Sequence, residues 1–242
     1  MNAHPATTLT PAPADTEFRQ ERLVTSHSAS PMLVEQFRNL AASLNRMQRE
    51  RSLKSLAVTS PAPGDGKSHV AVNLALTLSH SFRRRVLLID ADLRRPTLHT
   101  SFGVTGRPGL REALQSGESA TLPLVAVSET LSLLPAGEPL ANPVGELASG
   151  HMARLAMSTA SRFDWVIIDT PPAAGLADAR IVSETVDGVI LVVRAGVTRF
   201  PELETSIEAL GAERVLGVVF NAADPSEIQR SDYYSGYYGD GY

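Results

Sequence analysis

The chain has 242 residues, of which 43% are hydrophobic, and this length and hydrophobic content suit a single α/β domain. Its formal net charge is -4, and it contains no cysteine. The charge gives no indication of a nucleic-acid partner, and the lack of cysteine excludes disulfides, iron–sulfur clusters and catalysis by a thiol. Because no apolar run reaches the ~18 residues of a spanning helix and the first residues lack the order of a signal peptide, we expect a cytoplasmic chain for which any membrane association comes through a partner.

The N-terminal stretch, residues 1 to about 30, is rich in Ala, Thr, Ser and Pro and shows no hydrophobic periodicity. We predict a disordered leader there, followed by a main domain at 31–230. The domain opens with a predicted amphipathic helix, whose apolar residues recur at steps of four and three: Leu33, Phe37, Leu40, Leu44 and Met47. This apolar stripe either packs on the domain or serves a neighbouring subunit.

A glycine-rich loop lies between a predicted strand at 54–59 and a predicted helix at 69–81. The loop consists of Pro63, Gly64, Asp65, Gly66, Lys67 and Ser68. Strand, loop and helix in this order predict a phosphate-binding site, because backbone N–H groups and the N-terminus of the helix, near His69, attract anions. Lys67 can reach the β- and γ-phosphates of a nucleotide, and the Ser68 hydroxyl can ligate Mg²⁺. The position that usually holds the first glycine of such loops is occupied by Pro61.

Two further apolar runs end in acidic residues. One runs from Val86 to Asp90 and Asp92, and the other from Trp165 to Asp169. Continuous apolar runs are typical of parallel strands buried on both faces, and the carboxyl ends of such strands form the ligand-binding edge of an open sheet. The three carboxylates can surround the Mg²⁺ at the loop, and one that is not a ligand can accept a hydroxyl proton. Capping of the next helix is the alternative role for each acid.

The remainder of the domain alternates between predicted strands and helices. Strands are predicted at 131–134, 189–193 and 215–220, and helices near 109–116, 143–160, 178–185 and 201–211. This alternation predicts a doubly wound, mainly parallel sheet.

The C-terminal segment, 231–242, contains all the tyrosines of the chain: Tyr233, Tyr234, Tyr237, Tyr238 and Tyr242. Glycine and acidic residues surround them, and no aliphatic side chain is present to build a core. We therefore predict a mobile tail, which is either a target for modification or an unmodified low-complexity end.

Together these motifs resemble the bacterial tyrosine kinases of the capsule and exopolysaccharide type, which have a P-loop fold. The loop resembles the family's Walker A motif, Leu87 to Arg94 resembles Walker A′, and Val166 to Pro172 resembles Walker B. The tail resembles the family's tyrosine cluster, the site of autophosphorylation. The resemblance implies a kinase that transfers the γ-phosphoryl group of Mg-ATP to its own tail, in cis or in trans, and that regulates polymerisation and export of a polysaccharide.

The resemblance also implies a role for each motif residue. Lys67 binds phosphate, Ser68 and Asp90 hold Mg²⁺, and Asp169 supports the metal and its waters. Asp92 activates the tyrosine hydroxyl.

The roles of three further residues are less well defined. The resemblance implies that Asn221 contacts the adenine, and Asp178 occupies the position of a further family acid. For Arg94, contact with the phosphates and a place at an interface remain equally open.

The family's first helix carries Glu-x-x-Arg-x-x-Arg for subunit contacts, whereas this chain has Glu35 and Arg38 followed by Ala41. Self-association is therefore expected with a weakened motif. The resemblance further implies a membrane-anchored polysaccharide co-polymerase as a separate activating partner.

Two alternative functions remain. The first alternative is a partitioning or positioning ATPase, whose signature lysine is replaced here by Ala62. The second is a non-catalytic interaction protein, which the intact loop and acids argue against.

Overall fold

The computed structural model describes residues 7–11, 23–26, 28–104, 106–116 and 122–224. Its strands are β1 (Thr7–Pro11), β2 (Ser55–Thr59), β3 (Val86–Asp90), β4 (Leu122–Ala126), β5 (Leu131–Leu134), β6 (Trp165–Asp169), β7 (Gly188–Arg194) and β8 (Val215–Asn221). Its helices are α1 (Pro31–Arg51), α2 (Lys67–His80), α3 (Leu98–Ser101), α4 (Leu110–Ser116), α5 (Val144–Ala148), α6 (His151–Ala160), α7 (Ala177–Ser183) and α8 (Phe200–Leu210), with a short 3₁₀ turn at Ala212–Arg214.

The described strands form one sheet in the order β1-β4-β5-β3-β6-β2-β7-β8. Every neighbouring pair is parallel except β4 and β5, which are antiparallel. The predicted doubly wound, mainly parallel sheet is therefore confirmed. The three central strands β3, β6 and β2 are buried at every residue, as expected for strands that are covered on both faces.

Alternate residues of each central strand face two separate hydrophobic layers. On one side Leu88 and Ile167 join a core that includes α1 and α2. On the other side Leu87 and Ile168 join a core built with α4, α6 and α7. Because successive side chains of a strand point to opposite faces, helices cover both faces of the sheet. The loops that join strands to helices therefore lie at the edges of the sheet where the strands end.

The apolar stripe of α1 packs on the domain, which confirms the first of the two interpretations. Phe37 and Leu44 are buried in the core beside α2, and Asn45 accepts a hydrogen bond at 3.1 Å from the indole Nε1 of Trp165. Glu35 and Arg38 form an exposed ion pair of 3.5 Å at the start of the helix. None of the described helices combines the length and apolar character that crossing a bilayer needs.

Several features of the described chain differ from the sequence predictions, among them the short helix α3, which was not predicted. Strand β1 lies within the stretch for which we predicted a leader, and it pairs with β4 through its backbone, which needs no apolar periodicity. Strand β4 was not predicted because it contains Pro123, a residue that is depleted in strand interiors. The single helix predicted at 143–160 is two helices, since Gly150, at φ +76°, breaks it. Residues 23–26 and 28–30 also belong to the predicted leader, and here Leu23 is buried in the core and the Val24 N–H donates to Asn73 Oδ1 at 2.8 Å. The tail at 231–242 and the other residues of the leader lie outside the described residues.

Candidate active site

The glycine-rich loop joins β2 to α2 at the carboxyl edge of the sheet. Helix α2 begins at Lys67, two residues earlier than predicted, and Gly66 precedes it at φ +96°. This backbone conformation is one that L residues with a side chain rarely adopt, so the glycine is needed here. Pro61 is buried, and its carbonyl accepts the N–H of Ala174 at 3.4 Å, so this position takes part in the loop without needing a backbone N–H of its own.

The carboxylate of Asp65 holds the loop together rather than facing a ligand. It is buried, and it accepts the N–H of Ala62 at 2.9 Å and the hydroxyl of Thr198 at 2.9 Å. Asn221, predicted to contact adenine, donates from Nδ2 to the Asp65 carbonyl at 2.8 Å. The loop is thereby tied to the ends of β7 and β8. The contribution of Thr198 had no signal in the sequence, because it lies 133 positions from its partner.

Replacing Gly66 with Ala is expected to lower the affinity for Mg-ADP by about tenfold or more, since strain of this kind costs ~1–3 kcal/mol. A Cβ at this position would lie 1.9 Å from the Asn221 Nδ2 and would force the loop or the amide to move. Isothermal titration calorimetry measures the effect. Gly64→Ala is the matched control, because Gly64 has a similar φ of +89° but open space around it. Equal affinities of the two variants would show that the clash is unimportant.

The three predicted carboxylates lie together beside the loop. Asp90 and Asp169 end neighbouring strands and are paired in the register of β3 and β6. The Lys67 Nζ lies 3.2 Å from Asp92 Oδ2 and donates to the Ser68 Oγ at 3.2 Å. All three acids are buried. The loop and the ends of two strands, which are distant in the sequence, therefore place the predicted site residues together at one edge of the sheet.

Asp90 and Asp92 also hold the backbone of the segment after β3. Asp90 Oδ2 accepts the N–H groups of Thr97 at 3.1 Å and Leu98 at 3.0 Å, at the start of α3. Asp92 Oδ1 accepts the N–H of Arg95 at 3.0 Å. These contacts correspond to the capping role that the sequence left as the alternative, and they leave Asp92 Oδ2 directed to Lys67.

Burial dominates the electrostatics of the site. It raises the pKa of Asp90 to about 8, with help from the charge of Asp169 and against the N–H of Leu98. It raises the pKa of Asp169 to about 6, although the nearby Lys67 and Ser68 oppose the shift. Burial by itself lowers the pKa of Lys67, but the charges of Asp169 and Asp92 outweigh it, so the pKa of the lysine is raised. The site thus holds an excess of negative charge that a cation can relieve.

The stability of the ligand-free protein is expected to fall as the pH rises from about 5 to about 8. Asp90 and Asp169 have folded pKa values above the ~3.9 of unfolded aspartate, so over this range the folded state binds more protons and the unfolding free energy decreases with pH. Urea unfolding at several pH values in the presence of EDTA measures this. An Asp90→Asn variant should show a weaker dependence between pH 6.5 and 8; the same slope as wild type there would contradict the assignment to Asp90.

The residues present fit a bound Mg²⁺. Among the described residues, neither carboxylate oxygen of Asp169 has a hydrogen-bond partner although both are buried, and such orphaned oxygens suit a cation or its waters. The described residues contain no closed cage of three or more acid or imidazole ligands. Mg²⁺ usually keeps several waters and takes other ligands from substrate phosphates.

His69, the remaining predicted binding residue, lies in the first turn of α2. Its ring makes an edge contact with Phe37 of α1, with the ring centroids 6.2 Å apart, and it is hydrogen-bonded to Asn73. The side chain therefore connects the start of the loop helix to α1, and the part of His69 in nucleotide binding stays a prediction.

Arg94 forms an ion pair with Asp178, a contact that the sequence did not indicate. Its Nε donates to Asp178 Oδ2 at 2.7 Å, and its Nη2 donates to Asp178 Oδ1 at 3.1 Å. The pair joins the segment after β3 to α7. Both residues were noted in the sequence because they occupy family positions. No local pattern indicated that they bind each other, since they are 84 positions apart.

Comparisons with known proteins agree on one group. The family model described as ParA: NUBPL iron-transfer P-loop NTPase matches residues 52–224. The chain is 37% identical over 208 residues to the tyrosine-protein kinase YwqD of Bacillus subtilis (strain 168), covering 85% of this chain and 86% of that protein. It is 31% identical over 224 residues to the tyrosine-protein kinase wzc of Salmonella typhimurium, covering 91% of this chain but only 31% of that longer protein. The kinase domain of the Escherichia coli tyrosine kinase ETK is similar with a TM-score of 0.71 and 30% identity, over 79% of this chain and 78% of that chain.

Proposed function

This chain belongs to the bacterial protein-tyrosine kinases of the P-loop ParA family, and we propose that it transfers the γ-phosphoryl group of Mg-ATP to tyrosines of its own C-terminal segment. The observation that carries the proposal is the contact between Lys67 and Asp92. A phosphate-binding lysine that is paired with a carboxylate at 3.2 Å places a potential base next to the reacting phosphate.

Before nucleotide binds, Lys67 neutralises Asp92. We infer that the nucleotide phosphates draw the ammonium group to themselves, because they carry more charge than one carboxylate and lie at the N-terminus of α2. This frees the Asp92 carboxylate. Ser68, Asp90 and Asp169 would hold Mg²⁺, which supplies neutralisation of the phosphate charge when it is bound.

The chemical step needs an acceptor hydroxyl in line with the γ-phosphorus. The tyrosine oxygen forms a bond to phosphorus, the bond between that phosphorus and the β,γ-bridging oxygen breaks, and ADP leaves. The hydroxyl proton, with an unperturbed pKa of ~10, passes to the Asp92 carboxylate. The three acids are buried, and exclusion of water from the reacting groups would favour transfer to tyrosine over hydrolysis.

The acceptors in this proposal are the five C-terminal tyrosines, at 233, 234, 237, 238 and 242. The chain leaves the sheet after Asn221, at the same edge as the loop, because the Asn221 side chain contacts Asp65. At most ~3.5 Å per residue, the remaining residues can reach this protein's own site or that of a neighbour. Each added phosphate contributes roughly -1.5 to -2 charges at pH 7, so successive phosphorylation repels the tail from the acidic site.

We place the kinase in the control of capsule or exopolysaccharide assembly, as the resemblance implies. In this proposal a membrane-anchored co-polymerase recruits the chain to the inner face of the membrane and activates it. Phosphorylation of the tail loosens self-association and so gates that partner. The alternative, a partitioning-type ATPase switch, shares the fold family, but the named relatives at 30–37% identity are tyrosine kinases.

The test is to incubate the full chain with Mg-ATP and to map phosphate by mass spectrometry, with and without the cytoplasmic end of its membrane partner. We expect phosphate on the C-terminal tyrosines and none in a variant with all five changed to Phe. That variant should bind nucleotide as wild type does, since the tyrosines take no part in the loop. ATP hydrolysis without phosphotyrosine under both conditions would favour the switch.

A further inference from the structure

We propose that the ion pair between Arg94 and Asp178 is a positioning pair for phosphoryl transfer, which holds the Asp92 carboxylate at the correct place beside Lys67. The inference rests on the proposed kinase function and deepens it. It assigns to Arg94 an intramolecular role in place of contact with phosphate or with another subunit.

The geometry of the pair is that of a strong, specific contact. Two guanidinium nitrogens donate to the two carboxylate oxygens, at 2.7 and 3.1 Å, and a third, Nη1, donates to the Ala141 carbonyl at 2.8 Å. The Asp178 side chain is fully buried, whereas that of Arg94 is 29% exposed. A bidentate pair fixes orientation as well as distance, and a buried carboxylate without its partner is strongly unfavourable.

The pair connects two segments that both carry site acids. Arg94 follows Asp92 in the irregular segment between β3 and α3, and Asp178 lies in the first turn of α7, the first helix after Asp169. No regular structure holds the Arg94 segment, so side-chain contacts and a few backbone bonds decide where it lies. One such bond runs from the Leu140 N–H to the Leu93 carbonyl at 2.8 Å.

The segment is closed at its ends and attached at its middle. The Asp90 carboxylate, where the segment begins, accepts the N–H groups that begin α3, where it ends, and Arg94 binds Asp178 from the middle. Asp92 lies between Asp90 and Arg94, its N–H donates to Asp90 Oδ1 at 3.2 Å, and its Oδ2 is the atom that faces Lys67. Loss of the Arg94 attachment leaves the segment that follows Asp92 less constrained, so the Asp92 carboxylate can shift. A misplacement of about 1 Å at a reacting group can cost ~10²-fold in rate, so a contact that never touches substrate can control turnover.

The experiment compares Arg94→Gln, Asp178→Asn and the double variant in the full chain. We expect kcat for tail phosphorylation to fall about ten- to a hundredfold in each single variant, with the Kd for Mg-ATP within about threefold of wild type. The double variant should be no worse than the singles, because both remove the same contact. Arg180→Gln is the matched control: it breaks the exposed 3.3 Å pair with Glu184 on the same helix and should change kcat less than twofold.

A second readout does not depend on activity. The amide hydrogens of Arg95, Thr97 and Leu98 should exchange faster in Arg94→Gln than in wild type or Arg180→Gln, without nucleotide. If Arg94→Gln fails to fold, Arg94→Lys keeps the charge but loses the two-pronged contact, and the same changes are expected.

Wild-type kcat and unchanged exchange in a folded Arg94 variant would overturn the inference. A large loss of Mg-ATP affinity with unchanged kcat would also overturn it, since it would show a phosphate contact. If the wild-type chain hydrolyses ATP but never modifies tyrosine, the proposed function fails, and the amide exchange still decides the role of the pair.

Discussion

Replacing Asp169 with Asn is expected to reduce phosphoryl transfer by about 10²- to 10³-fold while making the nucleotide-free protein more stable at pH 8. The loss of activity follows because the two orphaned carboxylate oxygens that suit a metal ion are lost. The gain in stability follows because burial raises the pKa of this carboxyl to about 6, so its charged form is disfavoured in the folded state at pH 8. Few substitutions are expected to change activity and stability in opposite directions in this way.

Two measurements check the Asp169 prediction. Single-turnover phosphorylation of the tail reports the activity, and urea unfolding at pH 8 with EDTA reports the stability. Asp164→Asn is the control: this acid lies just before the same strand and pairs with Arg85 at 3.1 Å, which holds the pKa of Asp164 low against the effect of burial. Its removal should leave activity unchanged and reduce stability slightly. Destabilisation by Asp169→Asn would show that the carboxylate already has a favourable partner without metal.

Replacing Lys67 with Met is expected to weaken Mg-ATP binding about a hundredfold and to reduce tail phosphorylation by ~10³-fold or more. Two effects combine. The phosphates lose a buried cation, and Asp92 loses the ammonium group that neutralises it, so the site repels an anionic ligand. Removal of this charge also lets the pKa of Asp169 rise further, since Lys67 is the main group opposing the effect of burial there. The ligand-free variant should therefore lose stability with rising pH more steeply than wild type.

The chain offers a close control for this substitution. It contains only two lysines, and the other, Lys54, is exposed at the opposite end of β2. Lys54→Met should bind nucleotide and phosphorylate the tail as wild type does. Calorimetry with Mg-ADP and Mg-ATP separates the role of Lys67 at the γ-phosphate from its role at the β-phosphate. Unchanged tail phosphorylation in purified Lys67→Met would contradict autokinase activity.

The core strands and the acid-bearing edge could be predicted because their determinants are local. Each of the runs that end in Asp90 and Asp169 is apolar up to its acid, which is typical of a parallel strand that is buried on both faces. The loop from Pro63 to Ser68 has a backbone requirement that its glycines reveal. Parallel strands then align their carboxyl ends, so residues far apart in sequence had to meet at one edge.

Other parts of the fold were not predictable in this way. The pairing of β1 with β4 depends on backbone hydrogen bonds, which leave no pattern in the residues, and β4 contains Pro123, a residue that is rare inside strands. The break at Gly150 separates two helices whose apolar residues would also suit one continuous helix. The five tyrosines lie beyond the described residues, so their modification stays a prediction.

By itself, the sequence determined the mainly parallel α/β fold with its P-loop and, through the resemblance of its motifs, the tyrosine-kinase family, because periodicity and short motifs are properties of neighbouring residues. It also predicted which lysine, serine and aspartates would lie together at one edge of the sheet. Only the tertiary structure decided how that site is held in place. The contacts of Thr198 with Asp65, of Asn221 with the Asp65 carbonyl and of Arg94 with Asp178 join residues that are 84 to 156 positions apart. Such pairs form only when the folded sheet places its loops at one edge, so no local pattern in the sequence predicts them.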